Sequence, residues 1–273
     1  MTTWFEGEGP TPKALSGVLT PEGGRAVHWR GAFAPEGCAA VVSAARAGDL
    51  GPSDARDHDD PSRPQVRVYG CAISPSDTWP AGPDPDAYHA AAPDFRARLA
   101  ALGEPGFPTR LLEALSFLAG TPAVRPSGPR GPYGSCTVRH LTTGTALPPH
   151  CEHLYAGIDV NRGLRDRGVD LERQLSFFVV LHAPAEGGVL RVYEGPWRPL
   201  LDRLGPPTKD AVEVPDDAPE PQHHAIAPVV GDLLVFPSGA TIHEITPVER
   251  GERWTLGGFA AFAPEGEPLY AWG

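Results

Sequence analysis

The chain has 273 residues, 41% hydrophobic and 21% charged, which is enough apolar material to bury the core of one large domain. Its net charge of −11 and the lack of any basic run longer than "RGLRDR" exclude an ordinary nucleic-acid binder. No stretch approaches the ~20 uninterrupted apolar residues of a membrane-spanning helix.

The first residues, "MTTWFEGEGPTPK", lack the charged-then-apolar pattern of a secretory signal. Cys38, Cys71, Cys136 and Cys151 show no short paired spacing, so reduced thiols in a cytoplasmic protein are expected. Residues 1–26 read as a Gly- and Pro-rich leader. "RAVHWRGAF" alternates like a strand, and "APEGCAAVVSAARAG" reads as a helix with Pro35 in its first turn and Gly48 as its stop. Residues 50–65 are polar and Pro-rich, and "VRVYGCAI" is a second strand candidate. Two helices are expected in "DAYHAAAPDFRARLAALG" and "PTRLLEALSFLAG", the first interrupted at Pro93. In the second, Leu111, Leu112, Leu115 and Leu118 form the stripe of a helix resting on a sheet.

From about residue 132 the texture changes to short apolar runs with turns every eight to twelve residues, from "SCTVRHL" through "LSFFVVL" and "GDLLVFP" to "RWTLGGFAAF". That rhythm predicts an antiparallel sandwich or barrel. A polar, acidic, Pro-rich segment at 196–222 interrupts it and is expected to be a lid over the mouth. The predicted organisation is a strand and helix support region at 1–131, a β core at 132–264 and a tail at 265–273.

The chemistry is concentrated in "PPHCEH" at 148–153 and "GATIHEITPVERGERW" at 239–254. On a strand, residues i and i+2 share a face, so His150 and Glu152 are expected to point together. His243 lies on another predicted strand. Two imidazoles and a carboxylate make the facial triad of a non-haem Fe(II) oxygenase, which keeps positions open for a cosubstrate and O2. His-x-Glu alone is a weak signal. Arg253, ten residues after His243, strengthens it: a turn at "ERGE" returns it toward the metal, where a guanidinium can hold a carboxylate.

At these residues the sequence resembles the prolyl-4-hydroxylase-like branch of the Fe(II)/2-oxoglutarate-dependent dioxygenases. Three segments carry the resemblance over about 132–264: "VRHLTTGTALPPHCE", "LSFFVVLHAPAEGGVLRVYEG" and "GDLLVFPSGATIHEITPVERGERWTLGGF". It implies a mainly β fold with flanking helices, a double-stranded β-helix of jelly-roll or cupin type. It implies that His150, Glu152 and His243 bind Fe(II), and that Arg253, helped by Thr255, holds the distal carboxylate of 2-oxoglutarate. His140 stands where many relatives carry a pocket tyrosine and is assigned with them to the cosubstrate. The commoner second ligand is Asp, so Glu152 is a departure. Related halogenases have a small residue there to admit halide, so Glu152 argues against halogenation.

The implied activity is hydroxylation of an unactivated C–H bond with release of succinate and CO2; desaturation and ring closure stay open. A small-molecule substrate such as an amino acid or related metabolite is preferred, with Arg139, Arg191 and Trp197 as substrate candidates. Three alternatives stand beside this reading: a prolyl-type hydroxylase acting on protein, a cupin-type metalloenzyme independent of 2-oxoglutarate, and a non-catalytic barrel binding module. His153 as a third imidazole ligand is the less natural choice, because i+3 falls on the other strand face. Glu244 is expected to point away from the metal into an ion pair. Nothing in the sequence sets the oligomeric state.

Overall fold

Strict alternation along the β core is what divides the interior in two. The computed structural model describes residues 3–7, 12–15, 25–56, 66–73, 83–103, 106–152, 156–194, 222–264 and 268–273. A ten-stranded main sheet runs in spatial order β1 (Thr3–Gly7), β2 (Arg25–Trp29), β14 (Leu233–Phe236), β10 (Leu175–His182), β17 (Glu252–Phe262), β8 (Thr137–Thr142), β4 (Val66–Tyr69) and β3 (Ser53–Arg56). Beside β17 lies β18 (Leu269–Trp272), which pairs in turn with β5 (Ala123–Val124). A minor sheet has the order β13 (His223–Ile226), β12 (Leu190–Tyr193), β15 (His243–Ile245) and β9 (Leu147–His150). Short ladders join β11 (Glu186–Gly187) to β16 (Val248–Arg250), and β6 (Ser127–Gly128) to β7 (Gly131–Pro132). Pairing is antiparallel apart from β1 with β2 and β5 with β18.

One face of the main sheet carries Val138, Leu175, Phe177, Val179, Trp254 and Leu256. These pack against α1 (Pro35–Ala47), α2 (Pro85–Ala100) and α3 (Phe107–Ala119) in one apolar cluster. The other face carries Leu141, Phe178, Val180, Leu234 and Phe236, which cluster with Leu190, Val192 and Ile245 of the minor sheet. The two faces follow from period-two geometry on β8, β10, β14 and β17. A fourth, one-turn helix spans Arg162–Arg165. Among the described residues no helix is long and apolar enough to cross a membrane.

The structure departs from the sequence reading at the leader, at the tail and in helix α2. The leader and tail supply paired strands: β1 lies within residues expected to be irregular, and β18 completes the main sheet beside β17. Helix α2 runs through Pro93 without a break. Pro93 is exposed, so its ring stands on the outer side of the helix, clear of the core. The segment expected to be a lid lies outside the described residues, apart from Gln222 at its end.

One buried polar contact ties β2 to the turn before β14. His28 Nε2 lies 2.6 Å from Asp232 Oδ2, and Asp232 Oδ1 accepts from the Gly31 amide at 2.9 Å. Both side chains are almost fully buried. Removing the acid strands an imidazole and an amide together, so Asp232→Ala is expected to cost about 3 kcal/mol. The loss is read as a lower urea midpoint, with Asp232→Asn losing less.

Candidate metal and cosubstrate site

His150 ends β9, and His243 begins β15, directly across from it. The two prolines at 148 and 149 cannot donate to a ladder, and β9 is the edge strand of its sheet, where proline is tolerated. The register slips by one residue there: His243 pairs with His150, but Ile245 pairs with Leu147. That bulge aligns the two imidazoles, whose ring centroids are 4.3 Å apart. Each ring is aimed by its own backbone, with Nδ1 of His150 2.7 Å from the Pro148 carbonyl and Nδ1 of His243 3.3 Å from that of Thr241. The Nε2 atoms are left to face the cavity.

Glu152 reaches the same point by a different route from the one expected. The strand stops at His150, and Glu152 stands in the turn beyond it, so strand alternation does not bring the pair together. Its backbone is held instead: its amide donates to Ser238 O at 3.1 Å, and Gln174 Nε2 donates to its carbonyl at 3.1 Å. Ser176 Oγ, on β10, donates to Glu152 Oε1 at 3.3 Å. That oxygen sits 3.2 Å from His243 Nε2 and 3.7 Å from His150 Nε2. Ligand atoms of the three side chains all lie within 4.8 Å of one another. Burial pushes the Glu152 carboxyl up, but His243, His150 and Arg139 together outweigh it and hold it down at about 2. Burial and His243 lower His150 to about 4. Near neutral pH the carboxylate is therefore ionised and His150 neutral, the forms that ligate a metal.

Two further observations test whether a cation and a dianion fit here. Glu152 Oε2 is buried with no hydrogen-bond partner, and so is Arg253 Nε. Arg253 is 3% exposed, and among the described residues no carboxylate pairs with it. Its guanidinium lies 5.2 Å above the Phe178 ring. Burial, then repulsion from Arg139, lowers its pKa to about 9. Gly188, in the left-handed region at φ +64°, makes room for it: a Cβ there would come within 3.0 Å of Arg253 Cδ. A buried cation that no described carboxylate pairs with, beside a buried, half-satisfied carboxylate, fits a metal and an acidic cosubstrate. The cavity that holds them, about 550 Å³ of empty space including its mouth, lies between the two sheets.

The other sequence candidates separate by strand parity. Thr255 and Arg139 line the cavity, directly paired across β17 and β8. His140 does not. As the neighbour of Arg139 it faces the helices, stacked on Trp254 at 3.9 Å with its Nε2 3.6 Å from Glu252. Arg191 also points away, since Leu190 and Val192 occupy the inner face of β12; it meets Glu244 at 3.3 Å, and Tyr193 donates to the same carboxylate at 2.7 Å. Trp197 and His153 lie outside the described residues. Sequence reasoning missed Ser176 and Gln174. Their signal was weak, although Ser176 shares the parity of the inward-facing Phe178.

A family model described as the carrier-protein-independent halogenase WelO5 matches residues 25–273. The chain belongs to this family. It is a family of Fe(II)/2-oxoglutarate enzymes, so iron and 2-oxoglutarate are the metal and cosubstrate of the group. No curated protein sequence matches significantly. Among solved structures, the chain is similar to a Pseudomonas putida prolyl-4-hydroxylase at 16% identity, covering 85% of this chain and 89% of that one with a TM-score of 0.38. It is similar to the 2-oxoglutarate-dependent epimerase SnoN of nogalamycin biosynthesis at 14% identity, 86% and 80% coverage and a TM-score of 0.46. A Burkholderia ambifaria N-substituted L-amino acid dioxygenase matches at 17% identity, 67% and 68% coverage and a TM-score of 0.46. At such scores these likenesses carry no weight, and the family rests on the sequence match. The family's description names a halogenase, whereas the sequence argued against halogenation.

Ser176 fixes the carboxylate oxygen that faces both imidazoles. Ser176→Ala is expected to weaken Fe(II) or Mn(II) binding by roughly 10-fold, with the thermal melt of the metal-free protein little changed; metal titration by calorimetry checks it.

Proposed function

We propose that the protein is an Fe(II)/2-oxoglutarate-dependent oxygenase that hydroxylates an unactivated C–H bond of a small molecule. On this reading the two sheets are the halves of a double-stranded β-helix, with residues 132–264 as its core and 1–131 as support. His150, Glu152 and His243 hold the iron, and Arg253 with Thr255 holds the distal carboxylate of 2-oxoglutarate. Bound iron with 2-oxoglutarate and O2 supplies the oxidant for C–H cleavage, leaving succinate and CO2. The protein's own part is positional. The aimed imidazoles and the pinned carboxylate form one face of the site, and Arg253 fixes the cosubstrate from the other sheet. The apolar walls exclude water.

The observation that carries hydroxylation is Glu152. A halide needs a position on the metal that no protein donor fills, and here a carboxylate oxygen stands within 3.7 Å of both imidazole nitrogens. Halogenation is the second reading, favoured by the family description. A cupin-type enzyme without 2-oxoglutarate leaves unexplained a buried Arg253 that no described carboxylate pairs with.

Anaerobic titration of the metal-free protein with Fe(II) and then 2-oxoglutarate tests the reading. A weak visible charge-transfer band is expected in the wild type and lost in His243→Ala. Arg253→Ala should need roughly 10- to 100-fold more 2-oxoglutarate to reach it, the worth of a charge-assisted pair. Iron binding without the band would sink the proposal.

Chloride separates the two activities. It is expected to leave the wild-type band unchanged and to perturb that of Glu152→Gly. A chloride-dependent shift in the wild type would favour halogenation.

A further inference from the structure

Glu152 and His243 lie far apart in the sequence, yet one short turn supports both. It comprises residues 237–241, between β14 and β15. The turn is closed on itself at Pro237, whose carbonyl accepts the Ala240 amide at 3.1 Å and the Thr241 hydroxyl at 2.9 Å. Both Ser238 and Thr241 are buried, so water does not compete for these bonds.

One end of the turn aims His243. An imidazole that ligates through Nε2 carries its proton on Nδ1, and the Thr241 carbonyl stands 3.3 Å away to accept it. Phe236, just ahead of the turn, meets the same ring edge-on at 4.9 Å and 73°. The middle of the turn holds Glu152, since the Ser238 carbonyl accepts the Glu152 amide at 3.1 Å. Gly239 then donates its amide to the Gln174 carbonyl at 3.0 Å, and Gln174 Nε2 returns to the Glu152 carbonyl at 3.1 Å. The circuit runs from the turn to Gln174, to Glu152 and back to the turn. It needs a glycine, because a Cβ at Gly239 would fall 2.6 Å from the Glu172 carbonyl oxygen.

We propose, resting on the metal site assigned above, that residues 237–241 form one clasp that sets Glu152 and His243 relative to each other. Thr241 and Gln174 are its positioning residues. Their side chains bond to main-chain carbonyls and act on the metal only through the two ligands. Because both close the same circuit, opening either one loosens the whole clasp.

The test uses the full chain without cosubstrate. Calorimetry with Mn(II) alone reads affinity, and the visible spectrum of the Co(II)-loaded protein reads ligand geometry. Thr241→Val keeps the shape and removes the hydroxyl. It is expected to weaken Mn(II) binding by roughly 10-fold and to alter the Co(II) spectrum, whereas Thr241→Ser keeps both as in the wild type. Gln174→Met is expected to match Thr241→Val, and the double variant to lose less than the product of the two single losses. The thermal melt of the metal-free protein separates positioning from mere support. A variant that melts lower but keeps wild-type Mn(II) affinity and Co(II) spectrum overturns the inference. So does a Thr241→Ser that binds no better than Thr241→Val, or a double loss equal to the product. If Thr241→Val does not fold, Thr241→Ser against Gln174→Met decides, because the first should bind like the wild type and the second should not. A wild type that binds no metal overturns the metal site and this inference with it. Tight wild-type binding shared by every variant overturns this inference alone.

Discussion

A carboxylate 3% exposed, pressed between two imidazoles, is the constraint on which the rest of the architecture turns. Burying an ionised acid without compensation costs several kcal/mol. The chain compensates with one hydroxyl donor to the carboxylate and two contacts that fix the Glu152 backbone, drawn from separate elements. Ser176, on β10 of the main sheet, donates to the carboxylate; Gln174, just before β10, donates to the Glu152 carbonyl, and the Ser238 carbonyl in the turn after β14 accepts from the Glu152 amide. Each contact spans a long stretch of sequence, so the site forms only when both sheets have closed on each other. Folding and ligand geometry are thus one event.

The main sheet acts as a partition. Successive residues on its strands go to opposite compartments, and the sorting is chemical as well as spatial. Arg253 and Thr255 enter the cavity while Trp254 joins the helix-side core. Arg139 enters while His140 stacks on Trp254, which Tyr69 also stacks at 5.9 Å and Arg46 covers at 5.7 Å. Behind the two arginines of the cavity therefore stands a packed aromatic layer, tied at its edge by Glu252 to Arg46 and to the Trp254 indole. A buried guanidinium keeps its aim only if the strand carrying it cannot tilt, and this layer supplies the stiffness.

The sequence disclosed the rhythm of the core strands, the helix stop at Gly48, and the pairing of His150 and Glu152 with the distant His243. Those features are local, or depend on residue types with few other uses. Strand parity was equally readable, and applying it to "VRHL" would have sent His140 to the face opposite Arg139. Other features were out of reach. The bulge at Pro148 and Pro149 depends on which strand lies alongside, and the turn that presents Glu152 depends on Ser238, more than eighty residues away. β1 and β18 are too short and too plain to announce themselves, and exist because neighbours offer them open edges.

Family and donor set point in different directions here, and they constrain different things. Membership in a family described as a halogenase fixes the general chemistry, iron with 2-oxoglutarate. Which atom reaches the substrate depends on what occupies the metal's remaining positions, and that is decided locally. The extra methylene of glutamate relative to aspartate does not hold the carboxylate away: Oε1 is already 3.2 Å from one imidazole nitrogen and 3.7 Å from the other. The turn after β9 absorbs the added length, because Glu152 has left the strand and its backbone is pinned from two sides. Freeing that position for a halide would mean breaking the Ser176 contact and moving an ionised carboxylate through an apolar wall.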